Sequence, residues 1–228
     1  MRSQSIKVYD LTPFTLLDFP DTPAAIIWLA GCNLRCPYCH NPEIVFGKNE
    51  KDFDEVLLFL QKRKRVLEGV VLSGGEPTLH PKLFEICKEI KQLGYKIKID
   101  TNGSQPKKIA RLIEKGLIDF VALDLKAPEY KYEEVTGSDY FKENLETLLL
   151  LNSSQISFEV RTTIHPDLLN EHDIEALMIQ LKESGVHKPY ILQNFREPQR
   201  SIGNLSEPAQ SFDVAKLPTY INIIQRNF

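Results

Sequence analysis

The chain has 228 residues, of which 42% are apolar and 26% charged, with 14 prolines and 4 cysteines. That balance excludes a disordered chain, a collagen-like chain and a disulfide scaffold, and the length allows one large domain or two small ones around a sizeable core. The formal net charge of −3 gives no basic field over the molecule as a whole, so nucleic acid is not an expected partner.

Residues 1–23 read as an N-terminal extension without the apolar stretch of a signal peptide. Runs such as "AAIIWLA" are too short to span a bilayer. The expectation is a cytoplasmic protein without membrane contact, in which thiols stay reduced and clustered cysteines bind metal or take part in chemistry. In chain order, a strand at 24–30 precedes a helix at 52–65, a strand at 69–72 a helix at 81–93, and a strand at 95–99 a helix at 105–115. Strands at 118–123, 156–160 and 188–192 alternate with helices at 139–151 and 167–184. The helix at 81–93 carries clear signals: Pro81 opens it, Leu83, Ile86, Cys87 and Ile90 share a face, and Gly94 stops it. Strand alternating with helix predicts a parallel α/β core over 24–193 in a single domain, either a doubly wound sheet or a partial (β/α) barrel. Residues 194–228 form a tail. Pro198, Pro208 and Pro218 make it loop-rich, while Ile202, Leu205, Phe212 and Leu217 predict that it packs on the core.

Each predicted strand runs into polar residues or cysteine. These are Gly31-Cys32, "SGGEP" (73–77), "DTNG" (100–103), "DLK" (124–126), "RTT" (161–163) and Gln193. In parallel α/β folds ligands bind at the carboxyl ends of strands, so six such endings predict one functional rim.

The sharpest cluster is "GCNLRCPYCHNP" (31–42), with Cys32, Cys36 and Cys39. A structural zinc site needs four ligands. His40 or Cys87 would complete the set, but His40 adjoins Cys39, and Cys87 on an apolar helix face reads as a buried small hydrophobe. An iron–sulfur cluster usually takes four cysteines, so three would leave one iron open to an exogenous ligand.

The spacing Cys-x3-Cys-x2-Cys with Tyr38 before the last cysteine resembles the signature of radical S-adenosylmethionine (SAM) enzymes, and "SGGEP" resembles their methionine-binding motif. Together "LLDFP", "GCNLRCPYCHNPEIV", "VVLSGGEPTLH", "KIDTNGS", "VALDLKAP", "FEVRTTIHP" and "ILQNFR" resemble the anaerobic ribonucleoside-triphosphate reductase activating proteins, a family of glycyl-radical-enzyme activases. The likeness runs from about residue 10 to 196, with one departure: Asp21 follows the proline of "DFPD" where the family usually has glycine.

The resemblance implies a partial, open (β/α)6 barrel of TIM type with parallel strands, the radical SAM core. It implies a 4Fe–4S cluster on Cys32, Cys36 and Cys39 whose fourth iron takes the amine and carboxylate of SAM. One-electron cleavage would give a 5′-deoxyadenosyl radical, which abstracts hydrogen from a glycine of a partner glycyl radical enzyme. An external donor such as flavodoxin or ferredoxin would supply the electron. Gly74 and Gly75 allow close backbone approach, and the backbone there or Glu76 would accept from the SAM amine. Tyr38 would lie near adenine, Lys126 and Arg161 would meet the carboxylate or ribose, and Gln193 the ribose or adenine edge. Asn102 would hydrogen-bond substrate backbone. Asp100 and Asp124 form a carboxylate pair needing a counter-charge, read as a monovalent-cation site completed by Thr101. Two other readings stay open: a radical enzyme acting on a small molecule or peptide, such as a deazapurine synthase relative, and a zinc-stabilised binding module without catalysis. His80, His165 and His172 read as loop or cap residues, and "KRKR" (62–65) as a solvated helix end.

Overall fold

The structure, a computed structural model, describes residues 6–195 and 200–228. Arg196 of "ILQNFR" and Pro198 of the tail lie outside the described residues. The chain divides into two compact units. The first holds Met1–Cys32, Glu43–Thr101 and Lys107–Val121; the second holds Asn33–Pro42, Asn102–Pro106 and Ala122–Phe228.

The first unit carries β1 (Lys7–Val8), β2 (Asp10–Thr15), β3 (Ala24–Leu29), α1 (Pro42–Val45), β4 (Lys51–Asp52), α2 (Phe53–Arg63), β5 (Gly69–Gly74), α3 (Leu83–Gln92), β6 (Lys96–Thr101) and α4 (Pro106–Glu114). Its main strands lie in the order β2-β3-β5-β6, with β3, β5 and β6 parallel and β2 antiparallel to β3. β3 is buried at five of its six positions, which is why it reads as an unbroken apolar run rather than an alternation. β2 escaped the sequence reading because it is an edge strand: Pro13 cannot donate to a ladder on both sides, and its residues are mostly exposed or half-buried. Phe19 of "LLDFP" is buried with Ala24, Ile26 and Val71, its ring 5.9 Å from Phe120. α3 buries Leu83, Ile86, Cys87 and Ile90 as its spacing predicts, although it begins two residues after Pro81.

β7 (Phe120–Asp124) passes from the first unit into the second. The second unit adds α5 (Glu129–Thr136), α6 (Phe141–Ser153), β8 (Ser157–Ile164), α7 (Glu171–Glu183), β9 (Tyr190–Asn194) and β10 (Ile223–Arg226). Its strands lie in the order β7-β8-β9-β10, and β8, β9 and β10 are parallel. α7 starts later than its pattern predicted because Asn170 and Asp173 form a reciprocal capping box. α5 was missed because it buries only Tyr132, Val135 and Thr136, too few for a visible stripe. In the tail, Ser201, Leu217 and Ile221 are buried and residues 223–226 pair with β9. Among the described residues no helix is long and apolar enough to cross a membrane.

The polar clusters sit slightly differently from the reading above. Ser73, Asp100, Thr101, Asp124 and Gln193 are the closing residues of their strands. "RTT" does not follow a strand end; β8 continues to Ile164, so Arg161 and Thr163 face one side while Thr162 is buried on the other.

Asp21 occupies the left-handed region, with φ +51°. That conformation suits glycine, and Asp tolerates it better than most side chains. Asp21→Gly is therefore expected to be neutral or stabilising by up to about 1 kcal/mol, and Asp21→Val to cost about 1–2 kcal/mol. Paired thermal melts of the two variants check this.

Candidate functional site

In the first unit, Cys32 follows β3 through Ala30 and Gly31. Ala30 N–H donates to Asn49 Oδ1 at 2.8 Å and Gly31 N–H to the Ile44 carbonyl at 3.0 Å. On the neighbouring strand exit, Gly75 N–H donates to the Leu29 carbonyl at 2.9 Å and Glu76 N–H to the Gly31 carbonyl at 2.8 Å. A Cβ at Gly75 would stand 2.1 Å from the Gly31 oxygen, and one at Gly74 2.5 Å from the Leu29 oxygen. The glycine pair was expected to admit a cofactor. Its first consequence is instead that the chain's own backbone approaches, locking β5 onto the segment that delivers Cys32.

Glu76 is only 1% exposed. Its Oε1 accepts from Thr78 N–H at 3.0 Å, from Thr101 Oγ1 at 2.8 Å and from Thr78 Oγ1. It therefore bolts the exit of β5 to the end of β6, and Thr101 spends its hydroxyl on that bolt. Asp100 accepts from Ser73 Oγ at 3.1 Å and pairs with Lys98, an ammonium-bearing side chain 1% exposed on the same face of β6.

In the second unit, Cys36 and Tyr38 are buried and Cys39 is half-buried, with Cys39 N–H donating to the Cys36 carbonyl at 3.0 Å. Lys126 Nζ lies 5.9 Å from the centre of the Tyr38 ring and 2.9 Å from Asp124 Oδ2. Arg161 Nε donates to Asp124 Oδ1 at 2.5 Å. Burial would raise the Asp124 pKa, but Arg161 and then Lys126 hold its carboxyl well below the usual range. For Lys126 burial opposes the charge, yet Asp124, Tyr38 and Cys36 together hold its pKa well above the ordinary value. Burial pushes the Cys36 thiol up and Lys126 pulls it back toward the thiolate. Tyr38 is pushed well up by burial and stays protonated, and His40 is pushed down by burial and by Lys126 and stays neutral at pH 7.

The cation reading does not gain support. Asp100 has Lys98, Asp124 has Lys126 and Arg161, and Thr101 is bound to Glu76, so the counter-charge comes from the protein. Among the described residues no group of three or more His, Cys, Asp or Glu side chains gathers as a single metal ion would require. Asn102 makes hydrogen bonds within the protein. Its Oδ1 accepts from Ser104 N–H at 3.0 Å and its Nδ2 donates to Asn33 Oδ1 at 2.9 Å, so the side chain ties down the cysteine loop.

Several residues were missed. Asn33 Nδ2 donates to Ser104 Oγ at 2.9 Å, and Asn144 Nδ2 donates to the carbonyls of Asn102 at 2.8 Å and Asp124 at 2.9 Å. Asn144 is fully buried among Phe141, Leu148 and Leu151 on α6; a polar residue on that apolar face was the available signal. The histidines are structural: His80 Nδ1 accepts from Lys82 N–H at 3.2 Å, and the His165 ring packs on Phe195 at 4.6 Å. His172 sits in the first turn of α7. Cys87 is fully buried, its thiol pushed up to about 12 by burial, and residues 62–65 are exposed.

The residues present fit an iron–sulfur cluster beside a polar organic ligand. Three cysteines lie in one short loop, and the buried ammonium of Lys126 partly offsets the burial that raises the Cys36 thiol. Gln193 Oε1 is buried without a hydrogen-bond partner, and the buried Tyr38 hydroxyl stands beside the Cys36 thiol. A parallel α/β core carrying this loop is the arrangement of a cofactor-dependent radical enzyme.

The profile described as the radical SAM superfamily matches residues 26–181, and the chain belongs to that superfamily. It is thus a radical SAM enzyme, whose cofactors are a 4Fe–4S cluster and SAM. Within the superfamily it is 33% identical over 198 residues to the "Putative glycyl-radical enzyme activating enzyme" of Methanocaldococcus jannaschii, covering 84% of this chain and 80% of that one. It is 32% identical over 139 residues to the pyruvate formate-lyase-activating enzyme of Clostridium pasteurianum, covering 58% of this chain and 57% of that one. The crystal structure of Streptococcus suis SuiB bound to SAM shares the fold with a TM-score of 0.64 at 16% identity, over 86% of this chain and 48% of that one. The fold class is the expected α/β core with a mostly parallel sheet, the partial barrel of radical SAM enzymes. Superfamily membership also sets aside the zinc-stabilised binding module.

Two substitutions probe the site. Gly75→Ala is expected to cost about 2 kcal/mol, because a methyl group cannot fit against the Gly31 carbonyl. It should also lower the iron bound per chain after reconstitution, measured by denaturation and metal analysis. Asp124→Asn should cost about 3 kcal/mol at neutral pH by removing the carboxylate that two largely buried cations, Lys126 and Arg161, share. The folded-state pKa of Asp124 is depressed, so its contribution is present above the unfolded value near about 4 and fades as pH falls below it. The gap between wild type and Asp124→Asn should accordingly narrow in acid, read from denaturation curves across pH.

Proposed function

We propose that the enzyme activates a glycyl radical enzyme, with anaerobic ribonucleoside-triphosphate reductase as the partner. The observation that carries this reading is the 33% identity to an activating-enzyme relative over 84% of the chain. The run of motifs from "LLDFP" to "ILQNFR" supports the reductase as the particular partner.

In this reading Cys32, Cys36 and Cys39 hold the cluster. When bound, the cluster and SAM supply, by one-electron cleavage of the sulfonium, a carbon radical strong enough to take a hydrogen atom from glycine. The protein's task is placement. Lys126 stabilises negative charge at Cys36 and helps to orient the Tyr38 ring beside it. Lys126 and Arg161 meet at Asp124, and Arg161 also reaches Glu159; these two cations are the groups suited to the carboxylate of SAM. The Gln193 amide oxygen is buried and unpartnered, ready for the nucleoside, and the buried Tyr38 ring lies beside Cys36. Glu76 Oε1 is committed to Thr78 and Thr101, so the backbone of residues 74–76 is the better acceptor for the SAM amine. Asp100 and Asn102 act by holding neighbouring elements. An external one-electron donor, flavodoxin or ferredoxin, completes the system, which fits a cytoplasmic enzyme.

The test is anaerobic reconstitution, reduction in the presence of SAM, and mixing with an anaerobic ribonucleoside-triphosphate reductase. The expected results are 5′-deoxyadenosine release and a glycyl doublet in electron paramagnetic resonance, both absent in Cys36→Ala. A loaded cluster that cleaves SAM only when a small molecule is supplied, with no radical on the reductase or on pyruvate formate-lyase, would sink the activase reading.

A further inference from the structure

The tail crosses the cysteine loop. Gly203 N–H donates to the Pro37 carbonyl at 2.9 Å and Ile202 N–H to the Cys39 carbonyl at 3.2 Å. Those carbonyls bracket Tyr38 within the Cys36–Cys39 turn. That turn has no helix or strand to satisfy its backbone, so the donors must come from elsewhere. Contact at Gly203 is as close as the chain allows: a Cβ would stand 2.6 Å from Pro37 Cβ and 2.9 Å from Pro37 Cα.

The segment that makes these bonds is itself stiff. Ser201 is buried, its carbonyl accepts from Asn204 N–H at 3.1 Å, and its hydroxyl accepts from Leu205 N–H at 2.8 Å. Farther along, Asp167 accepts from Ala209 N–H at 3.0 Å and Gln210 N–H at 2.8 Å, and residues 223–226 pair with β9. The tail is thus anchored beyond the point where it meets the loop.

We propose that Ser201–Gly203 is a positioning clasp for the iron–sulfur cluster. It holds the backbone between Cys36 and Cys39, so the two thiolates keep one spacing with or without metal. Groups that fix metal ligands from behind commonly govern metal retention as much as the ligands do. This inference rests on the chain being a radical SAM enzyme, not on the identity of the partner it activates.

The test compares wild type with Gly203→Val, Gly203→Ala and Ser201→Ala, using Ser211→Ala at an exposed tail position as control. In cluster-free protein, alkylation of Cys36 and Cys39 is followed by mass spectrometry, with far-ultraviolet circular dichroism as the fold check. Reconstituted protein is then examined for iron content, for the paramagnetic resonance spectrum of the reduced cluster, and for bleaching in air. With native dichroism, Gly203→Val should alkylate and bleach about tenfold faster, with an altered resonance spectrum. Gly203→Ala and Ser201→Ala should shift the same way by less, and Ser211→Ala should match wild type. If Gly203→Val fails to fold, the two milder variants decide. Wild-type alkylation, bleaching and spectrum in folded Gly203 and Ser201 variants would overturn the clasp, as would a change in melting temperature alone. Absence of glycyl-radical formation by the wild type, with the expected shifts present in the Gly203 and Ser201 variants, would count against the activase reading and leave the clasp standing.

Discussion

A cysteine loop with no regular structure must have its peptide groups satisfied by something outside itself. That constraint organises much of this molecule. Ala30 and Gly31 give their N–H groups to Asn49 and Ile44, Arg35 N–H goes to the Thr136 carbonyl, and the Asn33 carbonyl accepts from Ser138. The carbonyls of Pro37 and Cys39 take donors from the tail. Each partner belongs to a different element: a loop before β4, α1, the end of α5, and the C-terminal segment. The loop is therefore placed through its backbone by the elements around it.

Charge is handled in the same distributed way. Two carboxylates close strands β6 and β7, and each has its own cations. At Cys36 burial is the larger influence and favours the thiol, and Lys126 opposes it. Tyr38 and His40 remain neutral there, so Lys126 and its partner Asp124 are the charged groups beside the loop.

Much of this was legible in the residues. Unbroken apolar runs located β3, β5 and β7, and the odd count of cysteines in "GCNLRCPYCHNP" pointed to an open iron before any fold was considered. The unreadable parts share a physical cause: they depend on who meets whom across the chain. Gly74 and Gly75 were marked as sites of close approach, but only the fold reveals that Leu29 and Gly31 fill the space. Asp100 and Asp124 looked like a pair in need of an ion, and only the fold shows Lys98 pairing with Asp100 and Arg161 reaching Asp124 from β8. β10 and the contact at Gly203 fall in a proline-rich stretch whose short elements carry too little pattern to register.

The arrangement of β6 has a bearing on how variants of this enzyme are interpreted. Lys98 and Asp100 are two apart, so the pleat turns both inward, and the ammonium of Lys98 is sealed from water. Removing the carboxylate takes away an anion paired with a buried cation, a loss that falls on the folded state before any cofactor is involved. An inactive Asp100 variant is therefore ambiguous by construction. Only a double-mutant cycle with an uncharged residue at 98 separates what the carboxylate does for catalysis from what it does for its neighbour.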